Sequence, residues 1–207
     1  TVEGFVGENY NTERKVIESV KTTSGRIGLE LEHFVCDRNY RVISYPEMAQ
    51  CLEKICEILR GKPVREHGEI LGISCDNFTF SLEPGCQLEI SISPRKDPET
   101  IREIYLRFRE VCDQVFGSRG FSLLEKGVFP LIENGDITAD ELPLIPKERY
   151  ALMDSHFSST GRLGHYMMRA SAATQVSIDF SSEEDALQKM RVLIRLAPII
   201  SLMTENK

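Results

Sequence analysis

Along residues 27–34 the side chains alternate. Ile27, Leu29 and Leu31 take one set of positions, and Gly28, Glu30 and Glu32 take the other. A period of two predicts a strand whose two faces differ in polarity. Over 46–60 the period lengthens: Met48, Cys51, Leu52, Ile55 and Leu59 recur at helical spacing, and Gly61 supplies the stop. Residues 71–93 are strand-like again, with Phe78, Phe80, Leu82 and then Leu88, Ile90, Ile92 set against polar partners. Asp97 followed by Pro98 reads as an N-cap and first helical position. Behind them Ile101, Ile104, Tyr105, Phe108, Val111, Cys112, Val115 and Phe116 keep helical spacing up to Gly117. Residues 127–145, with turn formers such as "ENGD", read as strand and irregular connection. Helices are predicted over about 147–157 and 163–169, and a strand over 174–180, where Val176, Ile178 and Phe180 alternate with Gln175, Ser177 and Asp179. Ser181 with Glu184 has the spacing of a capping box opening a last helix, which Pro198 should kink or end. Strands and helices intersperse without a regular βαβ beat. The expected class is α+β with a largely antiparallel sheet, in one continuous domain over 1–207.

Composition narrows the function classes. The chain has 207 residues, 41% hydrophobic and 28% charged, which is ordinary for a globular protein with a buried core. A net charge of −7 argues against nucleic acid as a partner, because the phosphate backbone selects basic surfaces. The longest apolar run, 192–203, is broken by Arg195 and Pro198, so no membrane span is expected. No signal or transit peptide is expected at the start. The six cysteines form no CxxC pair and have no zinc-ligand spacing, so reduced thiols in a cytoplasmic protein are the expectation.

The carboxylates then demand an account. Glu30 and Glu32 share one strand face, their side chains about 6–7 Å apart at the base. An isolated pair of this kind is usually solvated surface. A second stretch, "SLEPGCQLEIS" at 81–91, changes the weighing by adding Glu83 and Glu89 on either side of Pro84–Gly85, a pair that favours a type II turn. A tight two-residue turn would put these two glutamates on opposite faces, whereas a looser bend need not. If all four converge, like charges disfavour ionisation unless cations sit among them. Hard oxygen ligands suit Mg2+ or Mn2+, which suit nucleotide phosphates. The rival is a two-carboxylate hydrolase, indifferent to chelators.

The segments "GLELEHF", "SLEPGCQLEIS" and "PLIPKERYALMDSHFSSTGRLGHYMMRASAATQVSIDFSSEEDALQKMRVLIRLAPIISLM" together resemble the glutamate–cysteine ligase family of the plant and proteobacterial type. The resemblance is specific because the motifs occur jointly and in order over most of the chain. It implies ATP-dependent joining of the glutamate γ-carboxyl to the amine of cysteine through an acyl phosphate, the first step of glutathione synthesis. It also implies a curved, mostly antiparallel, glutamine synthetase-like funnel with helices packed on its outer face. By position Glu30, Glu32, Glu83 and Glu89 correspond to the catalytic acidic residues that hold the Mg2+ (or Mn2+) ions. Gln175, Arg169 and Gln87 are the candidate substrate- and nucleotide-binding residues, and Gly161 and Gly164 mark a candidate substrate-side loop. His33 shares parity with the apolar face and reads as structural.

Two departures stand out. Cys86 occupies a position where relatives commonly carry glycine, and "EISISP" replaces their more usual "ELSGAP". Family members also continue for about as much chain again, so 1–207 reads as the amino-terminal half of a longer ligase catalytic domain, with the remainder of that domain as a partner and the piece alone inactive. The alternatives are a related carboxylate–amine ligase using another amine and a non-catalytic regulatory or scaffold module. Glutamate and cysteine are the expected small-molecule partners, with no nucleic acid and no membrane.

Overall fold

In the computed structural model, which describes residues 25–161 and 163–205, the first alternating run opens strand β1 (Ile27–Asp37). Three further strands follow helix α1 (Tyr45–Leu59), namely β2 (Lys62–Glu66), β3 (Glu69–Ser74) and β4 (Phe78–Glu83). A 3-10 turn (Pro84–Cys86) leads into β5 (Gln87–Arg95), which feeds α2 (Pro98–Gly117) and then β6 (Phe121–Leu124). Beyond lie the one-turn α3 (Pro130–Glu133), a 3-10 turn (Ala139–Glu141), α4 (Glu148–Thr160), α5 (Gly164–Arg169), β7 (Thr174–Ile178) and α6 (Glu183–Met203). The sheet runs β2-β3-β4-β5-β1-β6, and β7 also pairs with β1. The pairings β2–β3, β3–β4, β4–β5 and β1–β6 are antiparallel. The class is α+β with an open sheet, as the patterning predicts.

Register sorts the side chains. Phe80 lies opposite Ile90 and Leu82 opposite Leu88, so these four stand on one face, with Ile73 of β3 opposite Phe80. Helices α1 and α2 cover that face: Met48, Cys51, Leu52 and Ile55 from α1, and Phe108, Val111, Cys112 and Phe116 from α2, are all buried. Asp97 caps α2 by accepting a hydrogen bond of 2.8 Å from the Thr100 amide. His33 faces the same core. Its Nε2 lies 2.9 Å from the Tyr105 hydroxyl, its ring stacks on Tyr105, and burial, with the Arg109 charge behind it, pushes its pKa down to about 4. It is a core histidine, in line with its parity.

The opposite face carries a smaller cluster at one end. Phe34 and Cys36 of β1 pack with Phe129, Ala139, Leu142 and Ala170. This cluster explains 127–145, where strand and irregular connection were expected. The segment instead forms α3 and a 3-10 turn, with a single bridge between Val128 and Ser171. Pro130 starts the helical turn, and Gly135 at φ 78° ends it while Leu131, Ile132 and Ile137 dock on the cluster.

The described residues divide into two compact units. Gly28–Val176 holds most of the sheet and both clusters. The other unit comprises 25–27 and 177–205 among the described residues. There Asp179 accepts from the Arg26 amide at 3.0 Å, and α6 is capped by Ser182, which accepts from the Asp185 amide, one residue later than the capping-box spacing predicts. Lys189 reaches back to the Asp179 carbonyl at 2.7 Å. Helix α6 continues through Pro198 rather than ending there. Proline removes one backbone hydrogen bond, and the leucines and isoleucines on either side sustain the flanking turns. Among the described residues no helix is long and apolar enough to cross a membrane.

Two stability outcomes follow from the sheet. Phe108 is fully buried against Phe80, Tyr105 and His33, so Phe108→Ala should cost about 3–5 kcal/mol in chemical denaturation. A Cβ at Gly72 would meet the Phe80 carbonyl oxygen at 2.3 Å, backbone that cannot yield without breaking β3–β4 pairing. Gly72→Ala should cost about 1–3 kcal/mol in the same measurement.

Candidate functional site

The open face of β4 and β5 is built by the turn between them. Three residues, Pro84–Cys86, separate Glu83 from its cross-strand partner Gln87, which sets Ser81 opposite Glu89. An odd-length turn preserves facing, so Glu83, Gln87, Ser81 and Glu89 share one side of the sheet. The parity left open by the letters is thereby decided. Gly85, at φ 75° and ψ 13°, takes the conformation that a type II turn requires after proline, and Cys86 at φ 54° follows it in the left-handed region. A Cβ on Gly85 would meet the Arg169 carbonyl oxygen at 2.5 Å, so glycine serves both conformation and close approach here. At Cys86 the conformation favours glycine, yet the thiol is fully buried and burial pushes its pKa up to about 12.

Glu30 and Glu32 of β1 face the same region. The Glu30 carboxyl is raised above the ordinary range by burial, then by the charges of Glu89 and Glu83. Glu32 is also raised, by burial first, against the pull of the Ala173 amide, with Glu89, Glu83 and Glu30 adding to the rise. All four predicted carboxylates therefore act on one another. They do not close into a ligand cage: among the described residues, the only three ligating side chains with all donor atoms within 4.8 Å of one another are Glu66, His67 and Glu148. These lie elsewhere, at the β2–β3 hairpin and the first turn of α4.

Three of the four glutamates have hydrogen-bonding support of their own. Glu32 accepts from the Ala173 amide at 2.7 Å and from Gln175 Nε2 at 3.2 Å, while its own amide donates to the Ala173 carbonyl. Gln175 thus reaches the site, as its strand parity suggests. Glu89 accepts from Ser81 and Ser91 hydroxyls at 2.9 and 3.1 Å. Glu83 is the most heavily engaged. The Tyr150 hydroxyl donates to it, Ser81 Oγ lies at 3.3 Å, Arg149 Nη2 at 3.4 Å and Lys147 Nζ at 3.5 Å. Burial lowers the Lys147 pKa, and the Glu83 charge works against that.

Lys147, Arg149 and Tyr150 were quoted within a motif but given no role by the sequence reading. Their one legible signal was two cations and a phenol at the entry of a helix. Arg149 and Tyr150, with Glu32, Glu83, Gln87 and Gln175, line the polar side of a cavity of about 520 Å3, and Met153, Met167 and Met168 line its apolar side; Glu30, Glu89 and Lys147 are not part of its wall.

Gln87 and Arg169 are both buried, one at the cavity wall and one away from it. Gln87 is buried at the cavity wall, and its amide nitrogen donates to the carbonyls of Pro84 and Ser171, both at 3.0 Å. That ties the β4–β5 turn to the segment after α5. Its Oε1 has no hydrogen-bond partner among the described residues. Arg169 is buried, but its fork is engaged by Asp154 and by the carbonyls of Asp140 and Leu142 at 3.2 and 3.0 Å. It does not line the cavity, so the reading of Arg169 as a clamp on a substrate carboxylate is corrected: its planar fork joins α5 to α4 and to the 3-10 turn. The glycine-bearing stretch 158–165 includes residue 162, which is outside the described residues.

The raised carboxyls predict a pH dependence in metal-free protein. A folded-state pKa above the unfolded one means the folded state binds more protons, so stability lost to repulsion at neutral pH is regained as pH falls toward the ordinary carboxyl range. Glu30→Gln should therefore raise the melting temperature near pH 7, with the gain over wild type disappearing near pH 4. Thermal scans of both proteins across that window check it.

Comparison with known proteins identifies a family. The glutamate–cysteine ligase family 2 profile matches residues 26–201. Curated relatives include the proteins named glutamate–cysteine ligase, chloroplastic, from Brassica juncea and Arabidopsis thaliana, each 33% identical over 183 residues, covering 87% of this chain and 34% of theirs. The Medicago truncatula protein of the same name is also 33% identical, over 35% of its length. The chain spans about a third of the length of the curated relatives it matches. With its match across 26–201, this chain belongs to glutamate–cysteine ligase family 2.

Proposed function

We propose that the protein carries the acidic half of the active site of an ATP-dependent glutamate–cysteine ligase, and that Glu30, Glu32, Glu83 and Glu89 hold Mg2+ or Mn2+ against the nucleotide. The observation that carries this reading is that Glu83 and Glu89 share one sheet side, and that, after burial, their charges raise the carboxyls of Glu30 and Glu32 on β1. An all-oxygen, anionic donor set fits hard divalent cations and fits little else. Within this reading the open sheet is part of a glutamine synthetase-like funnel. The cations that would grip the ATP phosphates and the glutamate α-carboxylate are assigned to the remainder of the catalytic domain.

The reaction divides into two displacements. An oxygen of the glutamate γ-carboxylate attacks the γ-phosphorus of ATP and ADP leaves. The cysteine nitrogen then attacks the acyl carbon, gives up a proton, and phosphate departs. Both partners in the first step are anions, and bound magnesium supplies the charge neutralisation that brings them together. The chain's own residues supply placement. Gln175 and the Ala173 amide orient Glu32, and Ser81 and Ser91 orient Glu89. Arg149, exposed on the cavity wall, is within reach of an anionic substrate group. Met153, Met167 and Met168 keep water from the acyl phosphate, which it would otherwise hydrolyse.

A related ligase using another amine is the second reading. It is favoured by Cys86, a buried side chain in a left-handed turn where the family resemblance implies glycine, directly beside cavity residue Gln87.

The full-length protein should release ADP only when glutamate, Mg2+ and an amine are present together, with cysteine the best of a panel of amines. Better turnover with a different amine selects the second reading, and no ADP with any amine defeats both. Glu30→Gln and Glu89→Gln should each lower the rate by at least about 100-fold with the fold retained by circular dichroism. Wild-type rates in either variant would remove the metal assignment.

A further inference from the structure

The two cations on Glu83 are unequal. The Arg149 side chain is 63% exposed and meets the carboxylate from the solvent side. Lys147 is only 14% exposed, as is nearly the case for Glu83 at 15%. Its ammonium donates to the Leu82 carbonyl at 2.6 Å, lies 3.5 Å from Glu83 Oε1, and sits 5.3 Å from the centre of the Tyr150 ring. Lys147 also stands at the N-cap of α4, with Glu148 opening the helix. The backbone of that position is fixed by the helix start, and the head group is fixed by β4.

A largely sheltered ammonium held on two sides keeps a fixed place beside Glu83, unlike a surface lysine that swings with its counter-ion. It reaches Glu83 directly and acts electrostatically with Glu89 as well. We propose that Lys147 is a positioning residue, a built-in counter-ion that fixes the Glu83 carboxylate and holds down the affinity of the acidic face for divalent cations. The inference rests on the reading of that face as a cation site and goes beyond it by naming what limits its charge. A face of four bare carboxylates would retain divalent cations tightly whether or not nucleotide was present. One fixed positive charge beside Glu83 weakens that retention, so that strong cation binding awaits the phosphates. Arg149, by contrast, is free to exchange Glu83 for an anionic ligand.

The test measures Mn2+ binding to the full-length protein without nucleotide, by electron paramagnetic resonance, so that turnover is not the readout. Lys147→Met and Lys147→Gln remove the charge, the second with a donor retained for the Leu82 carbonyl, and should each tighten Mn2+ binding at least about ten-fold. Lys147→Arg keeps the charge and should leave the affinity within about two-fold of wild type. Unchanged or weaker binding in both neutral variants, when folded, overturns the proposal and leaves Lys147 a structural cap. Glu89→Gln separates the two levels of inference. If it loses Mn2+ binding while Lys147→Gln changes nothing, the cation site stands and the counter-ion role falls. If wild type and Glu89→Gln bind Mn2+ equally, or not at all, both fall together.

Discussion

Repulsion among carboxylates on a single sheet face is the constraint around which this structure is arranged. Glu30, Glu32, Glu83 and Glu89 come from three strands, and burial together with the charges of Glu83 and Glu89 raises the carboxyls of Glu30 and Glu32. Such a set is tolerated only where something opposes the charge. Here the opposition is uneven. Glu83 has a phenol, a hydroxyl, an ammonium and a guanidinium, Glu89 has two hydroxyls, and Glu32 has an amide and a carboxamide. The positive charge collects at the Glu83 end, and the raised carboxyls lie on β1.

That face can be polar because the other face of the sheet holds the main core. Helices α1 and α2 bury the even-numbered side chains of β4 and β5, leaving the odd-numbered ones free to carry chemistry. Where β1 continues past the glutamates, its same face turns apolar at Phe34 and Cys36 and is covered by the 129–142 segment. One strand thus supplies both a closed end and an open end. Arg169 and Gln87 belong to this arrangement as ties. One binds α5 to α4 and to the 3-10 turn, and the other binds the β4–β5 turn to the segment after α5.

Long periodic elements were readable in advance: β1, α1, β4, β5 and α2 each repeat their pattern enough times to outweigh local exceptions. The short strands β2 and β6 were not recognised, although β7 was, and within 127–145 the irregular connection was anticipated but its helical turns were not. A short apolar run has no period, and its conformation is set by the cluster on which it docks. Pro198 shows the converse case: of the two outcomes its presence predicts, a kink or an end, the end is not what occurs, and the helix runs on to Met203. For the site, the glutamates were legible as unusual, and Gln175 by its parity with them. Arg169 was misjudged, because an arginine that could grip a ligand and one that grips its own backbone look alike as letters.

What the amino-acid order determined by itself is the alternation that makes one sheet face apolar and the other acidic, since side-chain direction along a strand depends on parity alone. What only the tertiary structure decided is how those carboxylates meet and which cations oppose them. The three-residue turn at Pro84–Cys86 sets Glu83 and Glu89 on one side, and the start of α4 brings Lys147 and Arg149 to Glu83 from more than sixty positions along the chain. Contacts across such separations depend on backbone geometry accumulated over many residues, and no local pattern carries that information.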